Sequence, residues 1–133
     1  MGKAAAKKGD KIKGDDIHNV VLKSNGATVP RSFSFEGAIQ TGLSGNVKIN
    51  GEFAAMVGSG ADNKPSHKAE PDSFVSDPSN KGKIFSGSDS VKINGKAAVR
   101  HGDKATTCTE PPIPGNGQVE VANSTNANVF FGG

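Results

Sequence analysis

The chain has no tryptophan and no tyrosine, and among its 133 residues cysteine occurs once and leucine twice. Each shortage excludes something. A single cysteine, Cys108, rules out a disulfide within the chain. Leu, Ile, Val and Phe together supply only 27 residues, about a fifth of the chain. A one-domain chain with so thin a core needs a further source of stability, and without a disulfide that leaves a metal or a partner. No stretch approaches the roughly 18 consecutive apolar residues of a membrane span. The first residues are basic but lack an apolar h-region, so no signal peptide is expected. The protein is then expected in the cytoplasm unless something else carries it out. Ala6 stands where a myristoylation signal has Ser or Thr.

The formal net charge is only +3, yet Lys3, Lys7, Lys8, Lys11 and Lys13 crowd the first 13 residues. No aromatic residue is interleaved with them to stack on bases, which disfavours a nucleic-acid arm. Residues 1–14 are therefore expected to be a solvated, lysine-rich leader, followed by one domain over 15–133. Helix is nearly excluded. The longest run free of Gly and Pro, Gln118 to Phe131, is rich in Val, Asn, Ser and Thr, all poor helix formers. No glycine-rich stretch leads into a helix, so no phosphate-binding loop is expected. His101 and Cys108 lack a third orienting partner, and catalysis is not expected.

What the chain does have is repetition. Val47-Lys48-Ile49-Asn50-Gly51 returns intact as Val91-Lys92-Ile93-Asn94-Gly95. Apolar residues alternate with lysine, as in a half-buried strand, and Asn-Gly is the strongest two-residue hairpin signal. Small residues follow each turn, at Ala54-Ala55 and Ala97-Ala98. A fainter third copy runs from Gly117 to Asn123. The expectation is an all-β, small conical domain of short hairpins with pseudo-threefold repeats. Val47, Ile49, Val91, Ile93, Val119 and Val121 are its expected core or base-facing positions. Residues 59–82, with Pro65, Pro71 and Pro78, read as a long central loop. Asp15-Asp16 reads as a turn. The run Pro111-Pro112-Ile113-Pro114 reads as a loop and Val129-Phe130-Phe131 as a closing strand.

His18, His67, His101 and Cys108 are the candidate metal ligands, since structural zinc takes four ligands from Cys and His. With one thiolate and three neutral imidazoles such a centre would carry a net +1.

The repeat and the His/Cys set resemble those of the PAAR-repeat proteins. The matching stretches are Ser90 to Asp103, Gly45 to Gly58, and Cys108. The resemblance implies a short β cone that binds one zinc near its apex. It implies a structural tip that caps a trimeric β-helical spike, of the VgrG or phage-spike type, in a contractile injection system. His18, His67 and Cys108 match ligand positions. The family's second central-loop histidine has no counterpart, so His101 is expected to supply the fourth ligand, with Asp62 as an alternative. The implied partners are the spike trimer, one copy per trimer, and briefly a target membrane, which the tip helps to pierce, with no nucleic acid. An alternative task is that of an adaptor attaching an effector to the spike. On this reading the protein is delivered outside the cell, or into a target cell, at the tip of the apparatus.

Overall fold

The hairpin turns take the backbone that their sequences require. Asn50-Gly51 and Asn94-Gly95 all have positive φ, near 51° and 87° in the first pair and 53° and 82° in the second. This is the type I′ geometry that suits the twist of two short strands. A computed structural model describes residues 2–110, 115–122 and 128–132 of the chain. Among these residues there is no helix, and the expected all-β architecture is borne out.

Six strands form the body: β2 (Lys11–Val21), β3 (Thr28–Thr41), β6 (Gly60–Asp62), β8 (Lys81–Ile84), β11 (Lys104–Thr106) and β12 (Gly117–Glu120). They pair antiparallel in the order β2-β3-β6-β8-β11-β12, and β12 returns to β2 through Val119↔Ile12. The sheet therefore closes on itself, which removes its free edges. Ile12, Phe35, Ile39, Ile84 and Val119 fill the interior. Gly37 is needed on the wall, because a Cβ there would lie 2.2 Å from the Asp62 carbonyl oxygen. β2 and β3 outrun the other strands and stay paired up to Val21↔Thr28. The short β7 (Ser73–Phe74) adds to β2 at Val20 and Val21. The molecule thus narrows from a barrel to one long hairpin with loops packed on it.

At the broad end lie three two-stranded pairs: β4 (Lys48–Ile49) with β5 (Glu52–Phe53), β9 (Lys92–Ile93) with β10 (Lys96–Ala97), and β1 (Lys3–Ala4) with β13 (Phe130–Phe131). The third pair corrects the sequence reading. Its strands come from opposite ends of the chain, not from the stretch that begins at Gly117. Backbone hydrogen bonding sets the equivalence. Ala54 N donates to Val47 O, Ala98 N to Val91 O, and Ala5 N to Val129 O. Gly58 N, Gly102 N and Gly9 N donate in the same way to the carbonyls of Ile84, Val119 and Ile39. Val119 is thus a barrel position equivalent to Ile39 and Ile84. Val119 and Val121 pack in the barrel core, whereas Ile49 and Ile93 are buried beneath the hairpins with Val47 and Val91 against them. The end of the proposed third copy, at Asn123, and the run Pro111–Pro114 lie outside the described residues.

The threefold relation closes as a ring. Ala6 N donates to Val99 O at 3.0 Å, Val99 N to Ala55 O at 3.3 Å, and Ala55 N to Ala6 O at 3.0 Å. Each segment then turns at a glycine of positive φ: Gly9 (+94°), Gly58 (+100°) and Gly102 (+86°). The residue after each glycine closes its turn with a side-chain oxygen. Asp10 accepts from Lys7 N, Ser59 from Met56 N, and Asp103 from Arg100 N. The expected leader is therefore part of the body. Ala4, Ala5, Ala6 and Ile12 are buried, because Ala5 to Asp10 is a third copy of Ala98 to Asp103. The expected central loop is also shorter than 59–82, since β6 and β8 occupy its ends and β7 interrupts it.

Candidate metal centre

The polar cluster at the narrow end starts from strand alternation. On β2, Asp16, His18 and Val20 point inward while Asp15 is exposed. Asp16 and His18 are 0% and 1% accessible. The loop after β6 brings in His67, whose side chain is 3% accessible. The segment after β11 brings in half-buried Cys108. The candidate donor atoms of these four residues all lie within 4.8 Å of one another. Cys108 Sγ is 3.1 Å from Asp16 Oδ2 and 3.5 Å from His18 Nε2. His67 Nε2 is 2.7 Å from Asp16 Oδ2.

Donors converge on the buried carboxylate. Thr107 Oγ1 donates to Asp16 Oδ1, and the Cys108 thiol and His67 Nε2 reach Oδ2. Asn63 fixes which nitrogen of His67 carries the proton. Its Oδ1 accepts from Glu36 N at 2.9 Å, so its Nδ2 faces His67 Nδ1 at 3.1 Å and donates. His67 Nε2 is then the N–H that donates to Asp16 Oδ2. Phe33 and Phe74 flank His18, with ring centroids at 5.8 and 5.7 Å, and Phe33 lies 5.2 Å from His67. Outside this wall Arg31 pairs with Asp72, and Lys23 N donates to Asp72 Oδ1 at 2.8 Å. The Arg31–Asp72 pair ties the loop that carries His67 to the β2–β3 hairpin.

Of the expected ligands, the structure brings together His18, His67 and Cys108. It does not bring His101. That residue lies in a turn at the broad end, where its N–H donates to Ala4 O and its Nδ1 accepts from Val121 N at 3.1 Å. Asp62 is also elsewhere, paired with Lys81 and Gln40 on the barrel wall. The fourth member is Asp16, which sequence reasoning had placed in a turn. The missed signal is Asp-x-His: in a strand, residues two apart share a face.

The four side chains fit a divalent metal. Zinc bonds of 2.0–2.3 Å imply edges of about 3.3–3.8 Å in a tetrahedral site, a range bracketed by the spacings here, which run from 2.7 Å to at most 4.8 Å. With one carboxylate and one thiolate the centre is neutral when loaded, in place of the expected +1, which suits a buried site. Burial, and then the hydrogen bond to Asp16, pushes the Cys108 thiol up to about 12. Burial also lowers His18 below its ordinary value, against the upward pull of Asp16. At pH 7.5, therefore, Cys108 carries a proton that a metal must displace, while His18 has none to give up at its ligating nitrogen beyond a tautomer shift. Zinc binding is expected to release about one proton from the thiol, and affinity to rise about tenfold per pH unit near neutrality. Titration calorimetry in buffers of different ionisation enthalpy measures that number. A value near zero would mean that the thiol stays protonated and is not a ligand.

A family model for the PAAR motif matches residues 31–109, more than half of the chain. The chain belongs to the PAAR-motif family. The match takes in both Asn-Gly hairpins, His67 and Cys108, while Asp16 and His18 lie ahead of it. The family is a structural one, spike-associated in contractile injection machines such as type VI secretion systems, and it is known for metal binding. Neither the curated proteins nor the solved structures give a match to this chain.

Proposed function

We propose that this protein is the pointed end piece of a contractile injection system, one copy capping the blunt end of a trimeric β-helical spike of the VgrG or phage-spike type. The observation that carries this reading is the closed ring through Ala6, Ala55 and Val99. A trimer offers three identical surfaces at its end, and one chain can meet all three only if it presents three equivalent elements in register. The three two-stranded pairs around that ring are such elements. They are also linked side to side. Asn94 Nδ2 donates to Ser44 Oγ, Asn50 Nδ2 to Asn128 Oδ1, and Ser88 Oγ to Gly132 O.

Asp16, His18, His67 and Cys108 would hold one zinc at the other end. Bound there, the ion supplies a cross-link among β2, the loop after β6 and the segment after β11. Four protein ligands fill a tetrahedral shell, which leaves no open position for catalysis. Ligation through His67 Nε2 would move that ring's proton to Nδ1, and Asn63 would then keep its bonds to Asn80 Oδ1 and from Glu36 N. The protein works mechanically: it is made in the cytoplasm, joins the spike before firing, meets the target membrane briefly and leaves with the spike. The test is to mix the purified protein with its trimeric spike and weigh the complex by native mass spectrometry. One copy per trimer is expected. Three copies per trimer, or no complex, would overturn the reading.

A further inference from the structure

His18 Nδ1 is a buried side-chain nitrogen without a hydrogen-bond partner among the described residues. Buried polar atoms are rarely left so, and each exception asks for a reason. The other ring nitrogen, Nε2, faces Cys108 in the cluster. If Nε2 ligates a metal, the neutral ring must carry its proton on Nδ1, and a buried N–H then needs an acceptor. One is in place: Glu110 Oε1 lies 3.5 Å from Nδ1, just beyond a well-formed bond.

Glu110 does not stand there by chance of side-chain rotation. Its backbone N–H donates to Ile17 O at 2.9 Å. Its carboxylate accepts from Asn19 N at 3.2 Å through Oε1 and from Asn19 Nδ2 at 3.1 Å through Oε2. Residues 17 and 19 thus clamp Glu110 on either side of His18. Phe33 and Phe74, whose rings lie against His18, have no side-chain acceptor to offer.

We infer that Glu110 is a positioning residue for the metal centre: its carboxylate accepts the Nδ1 proton of His18 and so presents Nε2 to the ion. This rests on the reading of the cluster as a zinc site. A carboxylate behind a ligating histidine fixes the tautomer and raises the basicity of the ligand nitrogen, and losing one typically weakens metal binding about 10–100-fold.

The test compares Glu110→Ala, Glu110→Gln and the unaltered protein, with zinc affinity read by competition against a chromophoric chelator. Glu110→Ala is expected to bind zinc about 10–100-fold more weakly. Glu110→Gln keeps an acceptor oxygen and is expected to stay within about tenfold. The melting temperature of the metal-free forms is measured alongside, and it should move far less than the affinity. In the zinc-loaded unaltered protein, ¹⁵N-resolved NMR should show a protected Nδ1–H on His18. Glu110→Ala binding as tightly as the unaltered protein would overturn the inference, and so would equal losses in both variants. If Glu110→Ala does not fold, the NMR signal decides, and an Nδ1–H exchanging freely with solvent counts against Glu110. Failure of the unaltered protein to take up equimolar zinc is a separate result, and it sinks the metal centre itself.

Discussion

Asp16→Asn is expected to cost more than about 100-fold in zinc affinity, beyond the range of a merely supporting residue, whereas His101→Ala changes it by less than about threefold, a spread small enough to reflect packing alone. The substitution is nearly isosteric, but it removes the anion that balances the buried ion, and it replaces a carboxylate with a weak amide donor. The Thr107 hydroxyl donates to Asp16 Oδ1 and the Cys108 thiol to Oδ2, so an amide in its place can accept from only one of them and carries no charge. The loss should appear as stability too. Structural zinc contributes on the order of 10 kcal/mol, comparable with the whole net stability of a small domain. Stripping the metal with a strong chelator is expected to lower the melting temperature by about 20 °C or more, and Asp16→Asn should melt close to the stripped protein. Metal content by elemental analysis and melting by calorimetry check both statements. A His101→Ala protein that loses its zinc would restore that histidine to the ligand set.

What could be read from the sequence depended on how local the physics was. Asn50-Gly51 and Asn94-Gly95 declare hairpins by themselves, because positive φ at two successive positions needs no tertiary help. Cys108 and two of the three histidines were legible as members of the cluster by residue type. The rest needed the fold. Asp15-Asp16, flanked by Gly14, has a turn's composition, yet an 11-residue pairing of β2 with β3 overrides that preference and turns Asp16 inward. His101 is close to Cys108 along the chain but belongs to the ring at the broad end, so sequence proximity misled. The third repeat was present in the sequence and hidden by its lysines. Ala4-Ala5-Ala6-Lys7-Lys8-Gly9-Asp10 parallels Ala97-Ala98-Val99-Arg100-His101-Gly102-Asp103 residue by residue. Lysine stems can lie along a buried backbone while their charged ends reach water, so a basic stretch is not always a tail. Lys7 does this, with its ammonium on the carboxylate of buried Asp10.

Those parallels also supply an internal control for the buried pair of Arg100 and Asp103. Arg100 and Asp103 are 8% and 5% accessible. Asp103 Oδ2 accepts from Arg100 N at 2.7 Å and from Nε at 3.1 Å, while Oδ1 accepts from Nη2 at 2.9 Å. Asp103→Ser keeps the turn-closing oxygen, as Ser59 does for Met56 N at 3.0 Å, but strands a buried guanidinium. Removing one partner of a buried pair costs about 3–5 kcal/mol, and that is the loss expected here. The repeat that begins at Val47 shows how the same turn is built without charge, from Met56 and Ser59. Arg100→Met with Asp103→Ser copies that solution, and the double variant is expected to recover to within about 1–2 kcal/mol of the starting protein. Denaturant unfolding of the zinc-loaded forms measures both differences. Because the ring through Ala6, Ala55 and Val99 is untouched, the double variant should still join a trimeric spike one to three. If it is no more stable than Asp103→Ser alone, the three turns are not interchangeable, and their equivalence ends at the backbone.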